Sequence, residues 1–136
     1  MTEKNTVQIP LSQKQIYLVH NYLLYRIQIP LTFIGRHPTN NIILNAPTVS
    51  RFHARLKYED GWFSLYDFGS KYGTFVNGTQ IKMQRLQSGD KIRLAKVEIT
   101  FLEDSKEIAR LTNRKTGQLV MVTPNSQHIL QLETHS

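Results

Sequence analysis

Four short polar signatures lie between Gly35 and Gly78. They read Gly35-Arg36, Ser50-Arg51-Phe52-His53, Ser70-Lys71-Tyr72-Gly73-Thr74 and Asn77-Gly78. Each begins or ends a segment with strand-like alternation, so the polar residues fall in connections, where a rigid platform usually holds binding groups. Arg36, Arg51 and Lys71 supply cations, while Ser50, Ser70 and Thr74 supply hydroxyls. No carboxylate pair and no cluster with metal-ligand spacing accompanies them. The set suits holding an anion, above all a phosphate, better than breaking a bond. A guanidinium matches two phosphate oxygens with paired donors, whereas an ammonium acts as a point charge.

Taken singly, each residue has a plainer reading. A lone Arg after Gly is usually a surface cation, and a lone Ser-Arg pair is usually a turn. His53 could be taken for a general base, but no titratable partner at catalytic spacing accompanies it. His20, His37, His128 and His135 are dispersed, so no metal or other cofactor is expected. Asp67 and Asp90 read as hydrogen-bonders of turns. Gly35, Gly73, Gly78 and Gly89 read as suppliers of backbone conformations that other residues avoid.

The elements that must position these groups are strands. Ile16 to Val19 forms a first short strand. In the next, Leu23, Tyr25, Ile27 and Ile29 point one way, and Leu24, Arg26 and Gln28 the other. Leu31 to Ile34 delivers Gly35-Arg36 at its end. Ile42 to Leu44 is brief, and 53–58 alternates before a turn at Glu59-Asp60-Gly61. Trp62 to Asp67 returns, with Phe63 and Leu65 opposite Trp62, Ser64 and Tyr66. Thr74 to Val76 leads into Asn77-Gly78, a strong hairpin signal. After a loop at Ser88-Gly89-Asp90, a final strand pair flanks Ala95-Lys96. Many short strands at such spacing argue for an all-β sandwich.

Composition bounds the rest. At 136 residues the chain suits one domain plus tails, and 40% hydrophobic content fits a globular protein. We expect a flexible N-terminal segment at 1–13, the β domain at 14–103 and a C-terminal extension at 104–136. In that extension, Glu107 to Leu111 could form a helical turn and Leu119 to Val122 a strand. There is no cysteine, which excludes disulfides and thiolate chemistry. The first residues lack the apolar run of a signal peptide, and Ile16 to Ile34 is too interrupted to span a membrane. Cytoplasmic residence is the resulting expectation. The formal charge of +7 favours acidic partners, but no block of basic residues forms a nucleic-acid arm.

In order and spacing, several motifs together resemble the forkhead-associated (FHA) domain. They are Gly35-Arg36, then Ser50-Arg51-x-His53-Ala54, then Asp67-x-x-Ser70-x-x-Gly73-Thr74-Phe75-x-Asn77-Gly78, then Leu86-x-x-Gly89-Asp90-x-Ile92. The likeness covers about Ile16 to Leu102. It implies an FHA-type sandwich of about eleven mostly antiparallel strands, binding phosphothreonine peptides through the loops at one end, without enzymatic activity. It also implies phosphate contacts from Arg36, Ser50 and Arg51. His53 would hold the Ser50 segment in place, and Gly35, Gly73, Thr74, Asn77 and Gly78 would support the loops. The chain departs from the family pattern at Lys71 and Tyr72, where Ser or Thr followed by Asn is common. Lys71 could add charge at the phosphate, and Tyr72 could pack on the peptide through its ring. Ala95 replaces a Gly typical of the last hairpin.

The leading expectation is therefore a phosphothreonine-dependent adaptor in Ser/Thr-kinase signalling. A phosphate-independent scaffold or self-associating domain is the alternative, and nucleic acid is disfavoured. Thr2, Thr6, Ser12 and Thr123-Pro124 offer a further idea, a phosphorylated tail occupying the site in its own molecule or a neighbour. The simpler reading is that polar tails contain threonines.

Overall fold

The computed structural model describes residues 10–103 and the backbone of 120–122. Among these residues there is no α-helix. Eleven strands run to Leu102: β1 (Tyr17–His20), β2 (Leu23–Arg26), β3 (Leu31–Gly35), β4 (Ile42–Ile43), β5 (Ala54–Glu59), β6 (Trp62–Asp67), β7 (Thr74–Val76), β8 (Thr79–Gln80), β9 (Met83–Arg85), β10 (Lys91–Leu94) and β11 (Val97–Leu102). A twelfth, β12 (Val120–Val122), follows in the C-terminal extension and pairs parallel with β2. The strands form two sheets, ordered β12-β2-β1-β11-β10-β7-β8 and β4-β3-β5-β6-β9.

Alternation decides which side chains meet between the sheets. Phe63 and Leu65 are buried while Trp62 is exposed, as the period-two pattern of β6 requires. Leu23, Tyr25 and Ile27 enter the main core with Ile34, Leu56, Ile92 and Phe101. Leu24 faces the other way and joins Tyr17, Val19 and Leu102 in a second buried cluster. Ile29 does not follow its predicted partners, because β2 stops at Arg26 and Ile29 is exposed.

Tight turns close the hairpins. Asp60 and Gly61 both have positive φ between paired Glu59 and Trp62, and Asn77 and Gly78 do the same between Val76 and Thr79. At the N-terminal end of the described residues, Leu11–Gln13 make one 3-10 turn, and Leu11 packs against the core. This turn lies inside the 1–13 segment expected to be flexible. The expected helical turn at 107–111 lies outside the described residues, as do Thr2, Thr6 and Thr123-Pro124.

Candidate functional site

The polar signatures converge because three chain segments are stitched together beyond the ends of β3, β5 and β6. Past the end of β3, the Arg36 N–H donates to the Ser50 carbonyl at 3.0 Å and the His37 N–H to the Arg51 carbonyl at 3.1 Å. The segment before β5 thus runs beside Gly35-Arg36. This approach is close enough to require glycine. A Cβ at Gly35 would stand 2.3 Å from the Arg51 carbonyl oxygen, well inside contact distance. Gly35 is needed for that proximity and not for positive φ, which corrects the expectation made for it. Asn40 completes the joint. Its buried amide donates to the Arg51 and His37 carbonyls at 2.7 and 2.8 Å.

Arg36 itself is exposed, and its Nε donates to the Val49 carbonyl at 2.9 Å. One donor of the guanidinium is therefore committed to orientation. Both terminal nitrogens remain for a ligand, and they form the forked pair that suits phosphate.

Ser50 sits at the centre. Its N–H donates to His53 Nδ1 at 3.0 Å, and its Oγ accepts the Lys71 N–H at 3.0 Å. With one lone pair occupied, the hydroxyl proton is left to donate outward. His53, wholly buried, lies with Nε2 3.0 Å from the Gly73 carbonyl. One nitrogen accepts while the other donates, so the ring is neutral with its proton on Nε2. Burial lowers its pKa, outweighing the Gly73 carbonyl and Asp67, which raise it. A ring with both nitrogens engaged in bracing is no general base.

Asp67 organises the opposing loop. Its Oδ2 accepts the Gly69 and Ser70 N–H groups at 3.0 and 3.1 Å, and its Oδ1 accepts the Ser70 and Thr74 hydroxyls at 2.5 Å each. Burial pushes its pKa up, but these donors and His53 outweigh burial and hold it below the usual carboxylate value. Ser70 Oγ also accepts the Gly73 N–H at 3.1 Å. Gly73 has φ +92, and a Cβ there would meet Gln80 Nε2 at 2.8 Å. From this braced loop Lys71 and Tyr72 project outward, both exposed, with Lys71 Nζ 5.3 Å from the Tyr72 ring centre.

Arg36, Ser50, Arg51, His53, Lys71, Tyr72, Gly73 and Thr74 are thus drawn to one end of the sandwich. Asn77 and Gly78 are not. They lie at the other end of β7, where the Asn77 side chain bonds Asp90 Oδ1 and the Lys91 N–H. Asn77 braces that loop and not the Ser50 loop. A concavity of about 440 Å³ lies there too, lined by Val76, Asn77, Arg85 and Asp90 among others. Its mixture of one cation and one carboxylate does not select an anion, so the Ser50 end is the candidate site. Sequence reasoning overlooked Asn40 as a brace, since an Asn-Asn pair in a loop signals only a turn. Among the described residues no group of three or more His, Asp or Glu could hold a metal.

An all-β sandwich whose loops form a cationic, hydroxyl-bearing end is suited to holding an anion. Residues 32–95 match the FHA domain family. Over 74 residues the chain is 42% identical to the "Oxoglutarate dehydrogenase inhibitor" of Corynebacterium diphtheriae, covering 54% of this chain and 52% of that protein. It is 40% identical over 77 residues to the "Glycogen accumulation regulator GarA" of Mycolicibacterium smegmatis, covering 57% and 49%. The chain spans about half the length of the curated relatives it matches. Mycobacterium tuberculosis EmbR, solved in complex with a low-affinity phosphopeptide, aligns with a TM-score of 0.63 and 32% identity over 65% of this chain and 24% of that one. A structure from work on phosphothreonine-dependent FHA domain interactions aligns with a TM-score of 0.62 and 27% identity over 65% and 96%.

Proposed function

We propose that this protein is a phosphothreonine-dependent interaction module, a small adaptor or regulator in Ser/Thr-kinase signalling without catalysis of its own. The observation that carries the reading is the convergence on Ser50. An oriented guanidinium (Arg36), a hydroxyl with its proton outward (Ser50) and two further exposed cations (Arg51, Lys71) meet where two loops are stitched together. A phosphothreonine brings roughly −1.5 to −2 charges and three strong acceptor oxygens to such a cradle. The regulator names of the relatives and the phosphopeptide bound to EmbR support the same reading. Cytoplasmic residence fits a partner of intracellular kinases. Among the described residues no helix is long and apolar enough to cross a membrane.

Titration with matched phosphothreonine, phosphoserine and unphosphorylated peptides tests this. Phosphothreonine should bind tightest, and Arg36→Ala should cost about 1.5–3 kcal/mol, as for a lost charge-assisted hydrogen bond. Equal affinity across the three peptides would overturn the proposal. A phosphate-independent scaffold is the second reading, favoured by exposed Trp62 and Met83 on the outer side of the five-stranded sheet. Partner capture that persists after phosphatase treatment would support it instead.

A further inference from the structure

The cations around Ser50 are not equivalent, and their differences specify the ligand further. Arg36 is pinned through Nε to the Val49 carbonyl on the β3 side of the site. Arg51 follows Ser50 directly and is exposed, with only its carbonyl engaged, by His37 and Asn40. Lys71 approaches from the opposite loop. It is the Lys71 backbone N–H that touches Ser50 Oγ, while its ammonium stands 5.3 Å from the ring of Tyr72. That ammonium belongs to the 70s loop, on the side of the site where Tyr72 lies more than half exposed.

Among the described residues no acidic side chain forms an ion pair with these three groups. Asp67, which organises the Lys71 loop, already accepts four hydrogen bonds with its oxygens. The ion pair found among the described residues joins Lys57 to Glu59, on β5. Arg36 and the Ser50 hydroxyl suffice to cradle one phosphate. The Lys71 ammonium, carried on the opposite loop beside the Tyr72 ring, is then left over for a further anionic group.

We propose that Lys71, with the Tyr72 ring beneath it, selects ligands carrying a second anionic group beside the phosphothreonine. That group is an Asp or Glu side chain or a second phosphate, and both present the same oxygen acceptors to an ammonium. The inference rests on the phosphothreonine reading above. Tyr72 contributes a flat apolar surface that keeps the ammonium near the ligand path through a cation–π contact.

Fluorescence anisotropy with four labelled peptides tests it: phosphothreonine flanked by alanines, the same peptide with Glu at the flanking positions, a neighbouring second phosphothreonine, and an unphosphorylated Glu-flanked control. The Glu-flanked peptide should bind about fivefold tighter than the alanine-flanked one, the upper range of an exposed ion pair. The doubly phosphorylated peptide should bind about tenfold tighter or more, since its added charge is larger. Both ratios should shrink at high salt. In Lys71→Gln the two ratios should fall to about one, whereas Lys57→Gln, removing the same charge from β5, should leave them at wild-type values. A gain for the second phosphate but none for Glu would restrict the partner to doubly phosphorylated segments and support the inference in that form. Equal affinity for all three phosphorylated peptides, or ratios unchanged in Lys71→Gln, would overturn it while leaving phosphothreonine binding intact. Failure of every phosphorylated peptide to bind better than the control would overturn both.

Discussion

The imidazole of His53 joins two loops at once, accepting the Ser50 N–H on Nδ1 at 3.0 Å and standing 3.0 Å from the Gly73 carbonyl with Nε2. One buried ring therefore sets the distance between the segment that carries Ser50 and Arg51 and the segment that carries Lys71 and Tyr72. The cradle is a property of that link, and protonating the ring would destroy it, because Nδ1 could no longer accept.

Acid should weaken the fold in two stages. The His53 pKa lies below its ordinary value of 6.5, chiefly through burial, so below about pH 6.5 the unfolded chain binds more protons than the folded one. Stability is then full above that pH and is lost as pH falls toward the folded pKa. His20, lowered by burial, acts in the same direction. Asp67 adds the second stage, since its depressed pKa contributes stability above its ordinary value of 3.8 that is lost as pH falls further. Urea denaturation at pH 7.5, 5.5 and 3 should show a midpoint that drops at each step. A midpoint constant from pH 7.5 to 5.5 would contradict the histidine part, and His53→Gln should make the drop over that interval smaller, with His20 supplying the remainder.

Gly35→Ala should destabilise the protein by about 1–3 kcal/mol, the usual cost of overpacking. The added methyl meets the Arg51 carbonyl at 2.3 Å, and this neighbour is backbone, which cannot swing aside. Relief would require the Ser50-Arg51 segment to move away from Arg36. Phosphopeptide affinity should fall together with stability, and a variant with normal affinity would show that the loop tolerates the shift.

Arg36→Lys should behave almost like Arg36→Ala. Arginine bonds the Val49 carbonyl with Nε and still presents two terminal nitrogens. An ammonium has no second arm to be oriented in this way. Calorimetric titration should show a loss of about 1.5–3 kcal/mol for either variant. Recovery of wild-type affinity by lysine would mean that charge alone suffices.

Ala95→Gly should stabilise the protein by about 0.5–1 kcal/mol. Ala95 has φ 56 in the hairpin between paired Leu94 and Val97, a region costing an L-residue about 1–2 kcal/mol. Part of the gain is offset by the greater entropy glycine loses on folding. Thermal unfolding would read the effect, and a lower midpoint would show that the buried methyl matters more than its backbone angle.

Much of the architecture could be read from residue order. The alternation of Trp62 to Asp67, the turn pairs Asp60-Gly61 and Asn77-Gly78, and the burial of Phe63 and Leu65 follow from period-two patterning and positive-φ propensity, which are local. β8 and β9 were not legible, because all five of their residues are exposed and carry no apolar alternation. They exist only because β7 and β6 offer edges to pair with.

For the site, residue types and spacing determined that three cations, Arg36, Arg51 and Lys71, and the Ser50 hydroxyl would be offered near strand ends. Tertiary structure alone decided which signatures meet. It brought Ser70 to Thr74 against Ser50 through His53 and Asp67, and it sent Asn77 to the far end of β7 to brace Asp90. It also assigned the role of Gly35, since the close approach to Arg51 exists only once the two segments lie side by side. Local preference can announce a turn, but contacts across 13 to 21 residues depend on how the sheets stack, and no short stretch of chain encodes that.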